Sequence, residues 1–280
     1  MIELHIVGCY GSRMGKCEPT SYLIKGNCGN ITLDAGSICR TNEKTQREIT
    51  SALITHSHSD HWIDLQLLAG NKMNFLHDDD FKNVKVYATS PTIDAILKDG
   101  FQCESWEPFH TFKIDGKVPI ELIKIKENQE YWLDNHKINA YPGIHKKGAV
   151  AYLIEDCDDN DSILYTGDTG VLDEDWWKQF QNVDKLWAVI IETSYPKRLT
   201  TSHALPFKHL STEQVATQIK MLNRPEVKFY ATHMKPMFEN EINDELAELN
   251  KNGLNVQPLE QGKCYKIGEK TEILDSLIVR

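Results

Sequence analysis

The chain has 280 residues, with 31 Lys and Arg against 41 Asp and Glu, and a formal net charge of −10 at pH 7. That balance disfavours long nucleic acid, whose capture needs many cationic phosphate contacts, but it leaves room for a small anionic substrate at a local positive centre. An apolar content of 40% and the lack of any run of roughly eighteen apolar residues argue against disordered and membrane-spanning classes.

In chain order, strand-like runs at residues 2–7, 21–25 and 30–33 are separated by Gly8, Gly11, Gly15, Gly26 and Gly29. Their start carries Glu3 and His5 inside a short apolar run and makes a poor signal peptide. The 7 cysteines are odd in number, widely spaced and without CxxC. Together these features predict a cytoplasmic chain with reduced thiols. A strand at 51–55 precedes an amphipathic helix over 60–73. Further strands are expected at 84–88, 120–125, 149–154, 162–166, 186–192 and 227–232. Residues 71–135 carry no other readable motif and are expected to shape an entrance. The acidic run at 156–161 reads as a solvated hairpin turn. Ser211-x-x-Gln214 opens a helix as a capping box, and residues 239–252 form another that ends at Gly253. Length alone suggests about two domains, yet no linker-like segment divides the chain.

One segment stands apart: Thr55-His56-Ser57-His58-Ser59-Asp60-His61-Trp62. Neutral imidazoles and carboxylates are the donor set for Zn²⁺ and related divalent metals. Just past a strand, His56 and His58 point to one side and can clasp one metal, while Asp60 and His61 project elsewhere and can hold a second. More donors must come from later strand ends. His145, Asp168 and His233 each stand at such a place.

HSHSDH followed in order by His145, Asp168 and His233 resembles the metallo-β-lactamase superfamily of binuclear metal hydrolases. The resemblance runs from about Met1 to Met237. It implies an α/β fold, an αββα sandwich of two mixed β-sheets flanked by helices, as a single domain over residues 1–280. It also implies one metal on His56, His58 and His145, a second on Asp60, His61 and His233, and Asp168 bridging both. Asp34 matches a structural support of the metal loop. Two divalent ions are therefore expected, Zn²⁺ first, with Mn²⁺ or Fe²⁺ as other occupants. Flavo-diiron members place Glu where this chain has His58, which disfavours a redox iron role.

Within the superfamily, Ile191-Glu192-x-Ser194 followed by His209-Leu210 resembles the class II 3′,5′-cyclic-nucleotide phosphodiesterases. The chain departs from that pattern at Ser59, at Trp62-Ile63-Asp64-Leu65 and at Lys208. tRNase Z uses a similar Glu and His unit, and glyoxalase-II-like thioester hydrolases and lactonases share the metal ligands. The expected activity is hydrolysis of a small anionic phosphodiester, cAMP or cGMP first. Asp60 and Asp168 would position the metals and a bridging hydroxide, while His209, supported by Glu192, would contact substrate and assist the leaving group. From another class, the chain could be a metal-retaining regulatory protein. No membrane partner is expected, and a homodimer stays open. Lys146 and Lys147 read as a solvated pair, and Trp62, Trp176 and Trp177 as packing residues.

Overall fold

Short β-branched and aliphatic runs between Gly- and Asn-rich turns fold as strands. The computed structural model describes residues 1–279. The first six strands are β1 (Ile2–Gly8), β2 (Ser21–Ile24), β3 (Asn30–Leu33), β4 (Ile49–Leu53), β5 (Val84–Thr89) and β6 (Ile120–Ile125). The next seven are β7 (Glu130–Leu133), β8 (His136–Pro142), β9 (Val150–Asp156), β10 (Ser162–Tyr165), β11 (Leu186–Glu192), β12 (Lys228–Thr232) and β13 (Val256–Pro258). β14 (Lys263–Ile267) and β15 (Glu272–Asp275) come last. The helices are α1 (Glu43–Glu48), α2 (Asp64–Met73), α3 (Ser90–Ile96), α4 (Glu174–Lys178), α5 (Leu205–Phe207), α6 (Thr212–Leu222) and α7 (Glu239–Lys251).

An 8-stranded sheet runs β15-β14-β1-β2-β3-β4-β5-β6 and a 7-stranded sheet runs β13-β12-β11-β10-β9-β8-β7. Both are mixed: β3 to β6 pair in parallel in the first, and β10 to β13 in the second, with antiparallel pairing elsewhere. The inner faces share one core, in which Leu4, Ile6, Ile24 and Leu33 meet Ile138, Tyr152, Ile163 and Ile190. Fully burying one such aliphatic side chain stabilises by about 1.5–3 kcal/mol. On the outer face of the first sheet, α2 and α3 bury Leu65, Leu68, Ile93 and Ile96. On the outer face of the second, Trp176 and Trp177 of α4, Val215 and Leu222 of α6 and Leu246 of α7 form the third core. The layers are therefore helix, sheet, sheet, helix, as expected.

Several boundaries differ from the sequence reading. The strand expected at 51–55 is β4, which ends at Leu53, so Thr55 and the His segment already lie beyond the sheet. The helix expected over 60–73 is a short 3-10 turn at Ser59–His61 followed by α2 from Asp64. Asp156 and Asp161, assigned to a solvated turn, are buried, and Asp156 accepts a 2.9 Å bond from the Met1 amine. The capping box at Ser211 is present, with the Ser211 N–H donating to Gln214 Oε1 at 2.9 Å. Trp62, Trp176 and Trp177 are buried in the cores, in keeping with a packing role.

Candidate metal centre

The expected site residues gather just past strand ends, on one edge of the sandwich. Asp34 follows β3, His56 and His58 follow β4, and His145 lies between β8 and β9. Asp168 follows β10, Glu192 closes β11 and His233 follows β12. The parallel neighbours thus deliver their C-terminal ends to one place, where open α/β sheets generally collect ligands. Turning inward so sharply requires unusual backbone. Asp34, His233 and Lys208 have φ of 55°, 59° and 56°. That left-handed conformation costs a non-glycine residue about 1–2 kcal/mol. Gly167 also has φ +57°, and a Cβ there would lie 2.8 Å from the Thr55 side chain.

Two groups of donors meet at Asp168. His56, His58, His145 and Asp168 present ligand atoms within 4.8 Å of one another, and so do Asp60, His61 and His233. Asp168 Oδ2 lies 3.8 Å from His56 Nε2, 3.9 Å from His145 Nε2 and 3.2 Å from His233 Nε2, while Oδ1 is 3.3 Å from His61 Nε2. His58 Nδ1 stands 3.1 Å from His145 Nε2, and Asp60 Oδ2 stands 3.5 Å from His233 Nε2.

The outward ring nitrogens are tied down. His61 Nδ1 donates to Asp34 Oδ2 at 2.7 Å, and His145 Nδ1 donates to the Lys208 carbonyl at 2.9 Å. His233 Nδ1 bonds Ser194 Oγ at 3.0 Å and His56 Nδ1 bonds Thr55 Oγ1 at 3.1 Å. A proton fixed on Nδ1 leaves the Nε2 lone pair facing inward, which is how histidine ligands are commonly oriented. The inward atoms have no partner: His56 Nε2, His61 Nε2, His233 Nε2 and Asp168 Oδ2 are buried without hydrogen bonds. Leaving such groups unsatisfied costs about 1–3 kcal/mol each. Their convergence fits a pair of divalent cations, and the donor set suits Zn²⁺ or a similar ion.

Asp34 is fully buried and anchors this shell, accepting bonds from the Thr55 N–H at 2.8 Å and the Tyr165 hydroxyl at 2.6 Å besides His61. Burial pushes His56, His145 and His233 below the ordinary imidazole value and His58 down to about 4. Burial also opposes a charge on His61, but Asp168 and Asp34 together hold its pKa well above normal. Asp168 is likewise penalised by burial, yet His233, His61 and His56 keep it ionised to well below the usual carboxylate range.

A second unit adjoins the cluster. His209 Nδ1 donates to Glu192 Oε1 at 2.9 Å and lies 3.8 Å from Asp168 Oδ2. Desolvation lowers the His209 pKa, but the Glu192 charge and hydrogen bond more than reverse it. Lys146 and Lys147 are exposed beside His145, and the Lys146 charge contributes to lowering His58.

A model of the Beta-lactamase superfamily domain matches residues 30–234. The chain belongs to the metallo-β-lactamase superfamily. Unliganded yeast PDE1 superposes with TM-score 0.77 at 17% identity, covering 95% of this chain and 99% of that one. YhfI, a metallo-β-lactamase fold protein from Bacillus subtilis, gives TM-score 0.73 at 16% identity over 95% of this chain and 100% of that one. The short form of human tRNase Z gives 0.62 at 15% identity over 84% and 93% of the two chains. At these identities the likeness is one of fold. No curated protein sequence matches the chain. The metallo-β-lactamase fold normally binds divalent metals, and this chain carries His and Asp clusters that could hold them. No described helix is long and apolar enough to cross a membrane.

Beyond Asp34 and Glu192, the sequence does not point to the supporting groups. Tyr165 comes from the opposite sheet, and the Lys208 carbonyl belongs to the backbone, so neither carries a sequence signal. Ser194 appeared only as part of a motif, and Lys235, whose charge acts on both His209 and His233, was not singled out.

Proposed function

We propose that this chain is a dinuclear metal-dependent phosphodiesterase that hydrolyses small phosphodiesters, 3′,5′-cyclic nucleotides before others, to 5′-nucleotides. The observation that carries the reading is the Glu192–His209 pair, joined at 2.9 Å beside the converging ligand atoms. Thioester or lactone hydrolysis does not call for such a pair. His56, His58 and His145 would hold one cation, Asp60, His61 and His233 the other, and Asp168 would touch both. Two such ions supply Lewis-acid polarisation of the phosphoryl group and a water acidic enough to attack near neutral pH.

The protein's own groups account for the remaining chemistry. Glu192 is fully buried and accepts bonds from His209 Nδ1, the Leu210 N–H, the Ser194 N–H and the Ser194 hydroxyl. With its acceptor positions occupied, Glu192 orients His209 and keeps a proton on Nδ1. His209 Nε2 is then the ring nitrogen left to serve the reacting group. The raised pKa favours a protonated ring that donates to the departing ribose oxygen. His209 lies two residues before Ser211, the N-cap of α6, so the capped helix start fixes the segment that carries it. Exposed Lys146 and Lys147 add positive charge at the mouth, so a −10 chain still favours a small anion there.

Assays of the Zn²⁺-loaded chain on cAMP, cGMP, bis-p-nitrophenyl phosphate and a 3′-extended tRNA test this directly. Turnover of the small phosphodiesters is expected, highest for a cyclic nucleotide. Preferential tRNA cleavage would replace the substrate class, and a fully metallated protein without turnover would leave a metal-retaining binding protein.

A further inference from the structure

We infer that Ser194 is a positioning residue whose single hydroxyl joins the Glu192–His209 pair to His233, so that the leaving-group unit and the second metal position are ordered together. The inference rests on the dinuclear reading above. Ser194 is fully buried. Its Oγ lies 2.9 Å from Glu192 Oε2, 3.0 Å from His233 Nδ1, 3.3 Å from His209 Nδ1 and 3.3 Å from the His233 carbonyl.

A hydroxyl has one proton to give. The nearest acceptor is the Glu192 carboxylate, and a charged acceptor makes the stronger bond. Ser194 therefore donates to Glu192 Oε2, and its lone pairs are left to accept. The closest donor is His233 Nδ1–H. His209 Nδ1–H already has Glu192 Oε1 at 2.9 Å, shorter than its 3.3 Å approach to Ser194.

The resulting chain runs His233 Nδ1–H to Ser194 O–H to Glu192, which also receives His209 Nδ1–H. It fixes the tautomers of both rings at once. His233 Nε2 is left unprotonated and inward, where it is buried without a partner. Glu192 thus influences a metal position although it touches none of the proposed ligands. The backbone reinforces the arrangement: the Ser194 N–H donates to Glu192 Oε2 at 3.0 Å, and the Ser194 carbonyl accepts from the Lys235 N–H at 3.3 Å. An ordinary core serine would need one of these bonds; this one serves both sides of the site.

The test is a double-mutant cycle read by metal affinity, not turnover. Zn²⁺ binding is measured by chelator competition for wild type, Ser194→Ala, Glu192→Gln and the double variant. Ser194→Ala is expected to weaken one of the two Zn²⁺ equivalents by about 10–100-fold, the usual effect of removing a ligand's hydrogen-bond partner. Glu192→Gln should weaken the same equivalent several-fold, and should add nothing once Ser194 is Ala. Ser194→Thr, which keeps the hydroxyl, should restore affinity, and Ser194→Ala should lower kcat with KM little changed. Thermal unfolding of the metal-free variants separates loss of fold from loss of the bond. Additive effects, or an unchanged affinity in Ser194→Ala, would overturn the relay while leaving the dinuclear reading intact. A wild-type chain that takes up no second Zn²⁺ would overturn both.

Discussion

Asp34 Oδ2 and His61 Nδ1 meet at 2.7 Å, both fully buried, and this pair ties the end of β3 to the histidine-rich segment after β4. The same carboxylate holds Thr55 beyond β4 and Tyr165 in the opposite sheet. One side chain thus fixes the spacing between the two sheets at the site. Asp34→Asn keeps the shape but turns one acceptor into a donor. It is expected to weaken Zn²⁺ uptake by about 10–100-fold and to destabilise the metal-free chain by about 1–3 kcal/mol. Chelator competition and denaturant unfolding measure the two effects. Full metal affinity in the variant would reduce Asp34 to a packing role.

His209, held at Nδ1 by Glu192, stands outside the proposed ligand set. His209→Ala should therefore leave metal content intact while lowering kcat by about 10²–10⁴-fold, the range for a general acid. Glu192→Gln should fall between that variant and wild type. Metal analysis beside steady-state kinetics decides the matter: loss of bound metal in His209→Ala would make His209 part of the coordination shell.

Stability of the metal-free chain should depend on pH in a defined direction. Burial holds His58 at about 4 and His56, His145 and His233 below 6.5. Each folded value lies below its unfolded one, so the unfolded chain binds more protons in between and stability falls as pH drops from 6.5 towards 4. Burial raises Asp60 and Asp168, but neighbouring imidazoles pull both below 3.8, so their share is lost under still more acid conditions. His61 and His209 are raised and carry the opposite sign: their contribution is present below 6.5 and lost as pH climbs through their folded values. Because the depressed histidines outnumber the raised ones, Tm in excess chelator should fall from pH 6.5 to 4. His58→Gln should flatten part of that slope. A flat or rising Tm would show that the rings are not buried neutral in the metal-free protein.

How far the sequence discloses this molecule follows from where its signals lie. HSHSDH is legible because four ligand-type side chains crowd one short stretch, Asp168 and His233 because each ends a hydrophobic run, and His145 because it stands just before one. The strands of the inner core announce themselves by continuous apolar runs such as LWAVIIE in β11. β8 is missing from the sequence reading: its buried positions alternate through His136, Ile138 and Ala140, but Lys137 and Asn139 between them lower its apparent hydrophobicity. β15 was not readable, since Glu272 to Asp275 are all exposed and are held by pairing with β14. The supporting shell was the least legible part, because it depends on a backbone carbonyl at Lys208, a hydroxyl at Ser194 and a tyrosine from the other sheet. Such groups are common everywhere, and only the fold brings them to the histidines.

Exposed apolar side chains near the cluster in the chain supply a further prediction. Ile144 is 44% exposed, Val171 39%, Leu205 50%, Phe207 59% and Met237 70%. Each lies within four residues of His145, Asp168, His209 or His233 along the chain. Ile144, Gly170 and Lys208 also stand side by side, since the Gly170 N–H donates to the Ile144 carbonyl at 2.6 Å and a Cβ on Gly170 would approach Lys208 Cα at 3.5 Å. Exposed apolar side chains so placed suit a substrate with a flat, weakly hydrated group next to its phosphate, as a nucleobase is. Stacking a base on an aromatic ring contributes about 1–3 kcal/mol. Phe207→Ala should therefore weaken competitive inhibition by AMP by at least about 5-fold, while inhibition by ribose 5-phosphate, which lacks the base, should stay the same. Sedimentation of both proteins provides the control, because loss of a dimer in Phe207→Ala would assign the ring to a second copy of the chain. Equal weakening of both inhibitors would place Phe207 at the phosphate, and no change in either would remove it from the site.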